Sequence, residues 1–361
     1  MIGLYSPDLP PVLGGVSDHT LALARALEAL GAPPAVLGKG GDPALFAPLP
    51  CAVGLEPRDL ADAARRLGVS VVVVQYVPFA FARRGLAPGL CLGLRRVTEA
   101  GIRVSIVVHE PYVPFTRLPW LVTGWPMRWQ LKWLLRLSCC AYAPVPRYVE
   151  ICRRYARPGT PVSLAPIGAT LPVSTVPRAE ARRALGLDDR TVAIGVFSPA
   201  AAGFHHAWIA RAAAAFRDRV DVCWVVFGFG STTDRWTVRG ANVLRLGPSN
   251  AEGLGRAMRA VDVAAAPYTD GLTMRRSGAM FALAHGVPTV SSTGHLYDPA
   301  LGAIAACEPS ADAFAARLVA LAGDPAARAA LAERARGYWT VASVEELARR
   351  LHADLDGGGH A

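Results

Sequence analysis

Within eight consecutive residues, Asp270 to Ser277, the chain places one carboxylate (Asp270), two hydroxyls (Thr273 and Ser277) and two guanidiniums (Arg275 and Arg276), with Gly271 directly after the acid. Arginine forks match the oxygens of phosphate and carboxylate groups. A helix starting here adds free backbone N–H groups and a partial positive charge, and phosphates bind at such ends. Two cations in a first helical turn oppose the helix dipole unless an anion joins them, which favours an anion site. The alternative is two solvated arginines on a surface turn. His109 and Glu110 form a second candidate group. A histidine can exchange a proton near neutral pH, or it can be a structural hydrogen-bonding residue. Glu110 can orient an acceptor or pair with a neighbour. Gly14 and Gly15 offer backbone amides to a ligand. Asp18 either contacts an acceptor or satisfies amides early in a helix. Gly228 and Gly230 let a ligand approach the backbone, or only make a tight strand exit.

These residues need particular elements to hold them. Val261–Ala266 is a short apolar run suited to a buried parallel strand. Pro267 ends it, and Asp270-Gly271 is a turn pair. Thr273 is placed as the cap of a helix carrying Ala279, Met280, Leu283 and Ala284 at helical spacing, with Arg275 and Arg276 in its first turn. Gly286 and Pro288 stop that helix, and Val287–Val290 starts the next strand. Strand, loop, helix and strand then put the candidate loop at the carboxyl end of a strand, where open α/β sheets bind ligands.

The same alternation runs through the chain. Strands are expected at Ile2–Tyr5, Ala35–Leu37, Val71–Val74 and Val104–Val108, the last ending at His109. Helices are expected from Ser17 and at Arg58–Leu67 and Leu92–Ala100. Ile167–Pro177 reads as a linker. The pattern then restarts with strands at Val192–Phe197, Val222–Phe227 and Val243–Leu246, and three helices close the chain after Ala311. This predicts parallel sheets covered by helices on both faces.

The 361 residues suffice for two domains, and a 52% hydrophobic, 18% charged composition supports large cores. The formal charge is +10, carried almost wholly by arginine, since Lys39 and Lys132 are the only lysines. The cations are scattered without a basic, aromatic-lined groove, which argues against nucleic acid as a partner. The seven cysteines show no zinc spacing and read as free thiols in a reducing compartment. No signal peptide or transmembrane run is read, so the expected location is cytoplasmic. The segment Thr116–Arg136 stands apart. Trp125, Trp129 and Trp133 lie four apart among basic residues, so they share one helix face. Such a helix can lie on a membrane, making weak contact with the inner membrane face. The favoured reading is that the tryptophans pack inside their own domain. GFGSTT after the Val222 strand is not a nicotinamide fingerprint, and there is no G-x-S-x-G nucleophile elbow. Asp354-Leu355-Asp356 is the one Asp-x-Asp triplet, but it lies at the chain end, and no metal site is expected.

Taken in order, Gly14-Gly15, His109-Glu110, Ile167-Gly168, Phe227-Gly228-Phe229-Gly230 and Pro267…Asp270-Gly271…Ala284-His285-Gly286-Val287-Pro288 resemble the GT-B glycosyltransferases, and more closely family 4 of these enzymes, in a subgroup with a DG-x-[ST]-x-RR motif. The resemblance implies an α/β GT-B fold, two Rossmann-like domains facing each other across a cleft. Residues 1–170 would be the acceptor domain, 171–340 the nucleotide-sugar donor domain, and 341–361 a helix and tail packing back toward the first. It implies a metal-independent transferase that moves a sugar from a nucleoside-diphosphate sugar to a hydroxyl acceptor (a glycan, a lipid-linked glycan or a natural product) with retention and without a cofactor. His109 and Asp270 would face the transferred sugar. Gly14, Gly15, Gly228, Gly230, Gly271, Thr273, Arg275, Arg276 and Ser277 would hold the donor, and Asp18 and Glu110 the acceptor. The sequence departs from the family at two places. The Arg and Lys that follow the first strand of the second domain are missing from Phe197–His206. The ribose-binding Glu falls on Phe281 or Gly278. A catalytically silent GT-B partner protein, a pseudo-glycosyltransferase and a sugar-nucleotide epimerase are therefore alternative readings.

Overall fold

A computed structural model describes residues 1–12, 14–113, 118–197, 203–228, 241–247 and 249–356. The chain forms two compact units, Met1–Ile167 with Val344–Ala361, and Gly168–Ser343.

The first unit is built on a seven-stranded sheet. Its strands are β1 (Ile2–Ser6), β2 (Ala35–Gly38), β3 (Cys51–Ala52), β4 (Val71–Tyr76), β5 (Arg103–Val108), β6 (Cys140–Ala143) and β7 (Val162–Leu164). They lie in the order β3-β2-β1-β4-β5-β6-β7, and every pair is parallel. All six residues of β4 are buried, as expected of an apolar run covered on both faces. The second unit carries β8 (Val192–Phe197), β9 (Val222–Phe227), β10 (Val243–Arg245), β11 (Val263–Ala266), β12 (Thr289–Ser292) and β13 (Ala306–Glu308), in the order β10-β9-β8-β11-β12-β13 and again parallel.

Each order reverses direction once, at β1/β4 in the first unit and at β8/β11 in the second. Such a reversal opens a crevice beyond the carboxyl ends of the two strands, because their connections leave in opposite directions. The loop after β1, the Gln75-Tyr76 end of β4 and the loop after β11 therefore occupy the two places where this topology binds ligands.

The last helix, Val344–Asp356, belongs to the first unit. Leu347, Leu351 and Leu355 recur at one-turn spacing and are fully buried beside Leu23 and Leu27 of the helix Gly15–Ala29. Each such side chain stabilises the packing by about 1.5–3 kcal/mol. Arg103 donates to the Leu355 carbonyl at 2.6 Å, and Arg350 to that of Leu164 at 2.7 Å, fixing the helix against β5 and β7. Tyr142 donates to Asp354 at 2.6 Å, so this carboxylate of the Asp-x-Asp triplet has a structural partner.

The helix Leu118–Leu137 corrects one expectation. Its packed face is Met127, Leu131, Leu134 and Leu135, all fully buried, while Trp125, Trp129 and Trp133 stand exposed on another face. Apolar residues occupy more than one stripe of this helix, and the aliphatic stripe is the one that fits the core.

Candidate functional site

At the first unit's edge, β1 runs into a loop that ends at Gly14, and Gly14 precedes the helix Gly15–Ala29 with no side chain capping its amides. Gly14, Gly15 and Ser17 line a cavity of about 160 Å³ with Ser6, Pro7 and Asp8. Neither glycine has a neighbour that would obstruct an added Cβ. Their value is thus the exposed backbone, not relief of a clash. Asp18 sits half-buried in the first turn, and burial raises its carboxyl above the usual carboxylate range despite the favourable helix end. Its backbone N–H donates to Gly14 at 3.0 Å.

His109 directly follows β5, and its N–H donates to the Tyr76 carbonyl at 3.0 Å, extending the β4–β5 ladder by one bond. The ring is buried. Its Nε2 donates to Oε1 of Gln75 at 2.7 Å. The His19 ring packs edge-on against it, centroids 5.0 Å apart. His19 is fully buried, neither of its ring nitrogens has a well-formed hydrogen bond among the described residues, and burial drives its pKa down to about 4, so it is neutral at pH 7. Gln75 lies close enough to resist that fall slightly. Nε2 of Gln75 and Oγ of Ser17 are likewise buried without partners among the described residues. Sequence reasoning did not single out His19 or Gln75. The available signal was Gln75 itself, a lone amide ending a run of four valines. Glu110 follows His109 and is half-buried.

At the second unit's edge, β11 leads into Pro267 and a folded loop. Tyr268 is anchored by two bonds to Ser292 Oγ, which accepts from the Tyr268 N–H at 2.7 Å and donates to its carbonyl at 2.6 Å. Gly271 has φ 91°, a left-handed value that other residues resist. A Cβ there would stand 2.7 Å from the Gly294 nitrogen, and one on Gly294 would stand 2.5 Å from the Asp270 carbonyl carbon. The two glycines let the loop and the segment after β12 cross at backbone contact. The Leu296 N–H to Asp270 carbonyl bond, 2.9 Å, fixes the crossing.

The Asp270 carboxylate is ion-paired with the Arg276 guanidinium, with only 11% and 12% of the two side chains exposed. The guanidinium carbon lies 4.6 Å from the centre of the Tyr268 ring, so acid and aromatic face together hold it. Gly203 backs the same guanidinium: a Cβ there would come within 2.9 Å of it. Arg275 is half-buried and Ser277 exposed.

The helix begins later than its sequence suggests. It spans Ser277–Ala284, with Arg276 in the N-cap position and no capping side chain. Thr273 is not the cap. Its side chain is fully buried, and its Oγ1 has no partner among the described residues. A turn in which Arg276 N–H donates to the Thr273 carbonyl at 3.0 Å keeps residues 273–276 out of the helix, and the pairing of Arg276 with Asp270 holds that turn in place. Both arginines therefore precede the first helical turn instead of standing in it.

Gly228 directly follows β9, whereas Gly230 lies outside the described residues. His205 stacks on Trp208 at 4.8 Å, and partial burial lowers its pKa. Phe281 is buried against Phe197 and His285, and a Cβ on Gly278 would meet the Phe197 ring at 2.8 Å. A carboxylate at 281 would be buried among aromatic rings, and a side chain at 278 would run into Phe197. Among the described residues no three His, Cys, Asp or Glu side chains cluster as metal ligands.

No protein-family model matches the sequence, and no curated protein is similar enough in sequence to match it. Solved structures do match over almost the whole chain. Sucrose-phosphate synthase from Thermosynechococcus elongatus superposes with a TM-score of 0.68 at 16% identity, covering 99% of this chain and 98% of its own. HepE of Anabaena, solved with UDP and glucose, gives 0.68 at 14% identity and covers 99% and 100%. A glycosyltransferase from Rickettsia africae gives 0.68 at 11% identity, covering 98% and 96%. The two parallel-sheet α/β units of this chain have the GT-B fold.

Proposed function

We propose that this chain is a metal-independent glycosyltransferase that moves a sugar from a nucleoside-diphosphate sugar to an acceptor hydroxyl, with retention of configuration. The observation that carries the reading is the Asp270–Arg276 pair, with Arg275 beside it, in the loop beyond β11 at the reversal of the second sheet. HepE, a neighbour in fold, is solved with UDP-glucose and with UDP and glucose, which supports a nucleotide-sugar donor here.

The chemistry follows from the charges. As the glycosidic bond breaks, the leaving diphosphate gains negative charge, and fixed cations and N–H groups lower that barrier. Arg275, Arg276 and the uncapped amides at Ser277 are the groups for that task. Arg276 enters it already oriented by Asp270 and Tyr268, so little reorganisation is needed when the anion arrives. Asp270 and His109 face the transferred sugar in this reading. Gly271 and Thr273 shape the donor loop, and Gly14, Gly15, Gly228 and Gly230 bring backbone to the donor. Asp18 and Glu110 hold the acceptor, whose class is a glycan, a lipid-linked glycan or a natural product.

A second reading has one observation in its favour. Phe281 and Gly278, the positions aligned with a ribose-binding acid, are apolar and packed, so the nucleotide must be gripped otherwise, or the chain binds diphosphates without turning over a sugar donor. Thermal shift with UDP, GDP, ADP, TDP and CDP, with and without EDTA, separates these. A ligand at a hundred times its dissociation constant adds about 2.7 kcal/mol of stability. The expected result is stabilisation by one diphosphate, indifferent to EDTA and lost in Arg275→Ala, together with slow release of free sugar from the matching donor. Stabilisation without sugar release favours the second reading, and no stabilisation by any of them overturns the first.

A further inference from the structure

We propose that the exposed tryptophan face of the helix Leu118–Leu137 docks on the surface of an anionic lipid bilayer. The inference rests on this face alone and is independent of the transferase reading. Trp125, Trp129 and Trp133 are 61%, 67% and 43% exposed, and Val122, one turn before Trp125, is exposed with them. Large apolar side chains in a row on a soluble surface mark an interaction site. With Leu86, Pro88 and Cys91 the three tryptophans border an open groove of about 890 Å³.

The charges around the groove choose the occupant. Lys132 and Arg136 line it, and Arg83 and Arg84 stand exposed just before Leu86. There is no Asp or Glu anywhere in residues 78–98 or 118–137. Arg128 is taken up within the unit, donating to the Gly124 carbonyl at 2.8 Å and lying 3.9 Å from the Tyr112 ring centre. Lys132, by contrast, lies over the exposed Trp129 ring, its Nζ 5.1 Å from the ring centre. Indole rings flanked by long cationic side chains suit the boundary between headgroups and acyl chains. There the ring buries its apolar body, and the cations reach the phosphates. A neutral apolar peptide or a second copy of this cationic face would gain nothing from that charge, and a second copy would be repelled by it. No helix among the described residues is long and apolar enough to cross a membrane. Contact is therefore in the surface plane, with the buried Met127–Leu135 stripe keeping the helix on the protein.

The test is flotation of the full chain with vesicles of equal parts phosphatidylglycerol and phosphatidylcholine, and of phosphatidylcholine alone, at low and high salt. Trp125→Ser/Trp129→Ser/Trp133→Ser and Lys132→Gln/Arg136→Gln are compared with wild type after circular dichroism has shown both folded. Wild type is expected to float with the anionic vesicles at low salt and to lose most binding at high salt. The triple variant should not float. Neutralising two surface cations should weaken binding about thirtyfold. Absence of flotation at low salt overturns the proposal, as does equal flotation of wild type and triple variant. A dimer in sedimentation that the tryptophan substitutions dissociate, without flotation, also overturns it and assigns the face to a second copy.

Discussion

At the carboxyl edge of the first sheet, the side chains that meet are two imidazoles and an amide. His19 is held neutral by burial, and Gln75 and His109 share a 2.7 Å hydrogen bond. At the equivalent edge of the second sheet, a carboxylate and a guanidinium meet under a tyrosine ring. Both places sit where the strand order reverses, so topology alone does not distinguish them. The chemistry does. An edge where rings and an amide meet without an ion pair between them is suited to hydroxyls, which need direction more than charge. An edge that already tolerates a buried ion pair is suited to a ligand whose charge changes during reaction. In a charged site, a pre-formed pair also keeps an isolated arginine from being desolvated while no ligand is bound.

The sharpest way to break this contrast is Asp270→Ala. It leaves the Arg276 guanidinium largely buried without its counter-ion, a change that costs about 3–5 kcal/mol. Asp270→Asn/Arg276→Met removes both charges and should recover most of that stability while, under the transferase reading, leaving the site inactive. Urea denaturation of the three proteins checks both. If the single substitution costs under about 1 kcal/mol, the pair behaves like a surface salt bridge and the distinction between the edges fails.

Next in size is a pH effect confined to the first unit. His19 has a folded pKa of about 4 against 6.5 in an ordinary environment. The unfolded chain therefore binds the proton more readily, and stability is full above pH 6.5 and falls as the pH drops from 6.5 to 4. The shift corresponds to about 3 kcal/mol across that window. Asp18 works the other way. Its carboxyl is raised by burial, so its unfavourable charge disappears as the pH falls, offsetting part of the loss at the acid end. His19→Gln should flatten the stability curve between pH 6.5 and 5. A slope unchanged by the substitution would mean that His19 is solvated.

Gly271→Ala probes the backbone crossing that supports the charged edge. The new Cβ meets the Gly294 nitrogen and the residue keeps φ 91°, so a loss of about 2 kcal/mol is expected. Gly14→Ala, whose added Cβ meets nothing and whose φ of 172° is ordinary extended backbone, should cost well under half as much. Thermal denaturation of the pair measures the difference between a glycine needed for packing and one that only leaves backbone accessible.

The charged edge was legible in the sequence because its parts are local. Asp270, Gly271 and Arg276 fall within seven residues, and Asp270-Gly271 already reads as a turn, although the pairing of Asp270 with Arg276 was not expected from it. What the sequence hid was where the helix starts. Thr273 has the residue type of a cap, but the Asp270–Arg276 pair and the Thr273–Arg276 turn, which residue type alone does not announce, delay the helix to Ser277. The neutral edge was only half legible. His109 follows a visible strand, but its partners stand 34 and 90 positions away at Gln75 and His19, and no period joins them. The strands β3, β6, β7 and β13 were missed because two to four residues without a distinctive apolar run carry too little pattern to stand out. For the helix Leu118–Leu137, spacing identified the tryptophan stripe, but the competing Met127–Leu135 stripe decided which side turned inward.

The smallest expected effect tests whether the neutral edge positions His109 or only fills space. Gln75→Leu removes the acceptor of the His109 Nε2 bond, which destabilises a buried donor. It also removes a buried Nε2 that has no partner among the described residues, which is a relief. The two nearly offset, so stability should fall by about 1 kcal/mol or less. Under the transferase reading, activity should fall much further than that. An imidazole that has lost this bond is less well aimed at a sugar hydroxyl, so kcat should drop about tenfold or more with the donor KM little changed. Gln75→Glu keeps the acceptor while adding a charge. A carboxylate in place of the amide still accepts from Nε2 and keeps the ring in place. It also draws a proton onto the neighbouring His19, so the acid limb of the stability curve should flatten toward that of His19→Gln. Restored kcat in Gln75→Glu beside lost kcat in Gln75→Leu would identify Gln75 as the residue that aims His109. Wild-type kcat in both would leave Gln75 without a part in the reaction and the charged edge to carry it under the transferase reading.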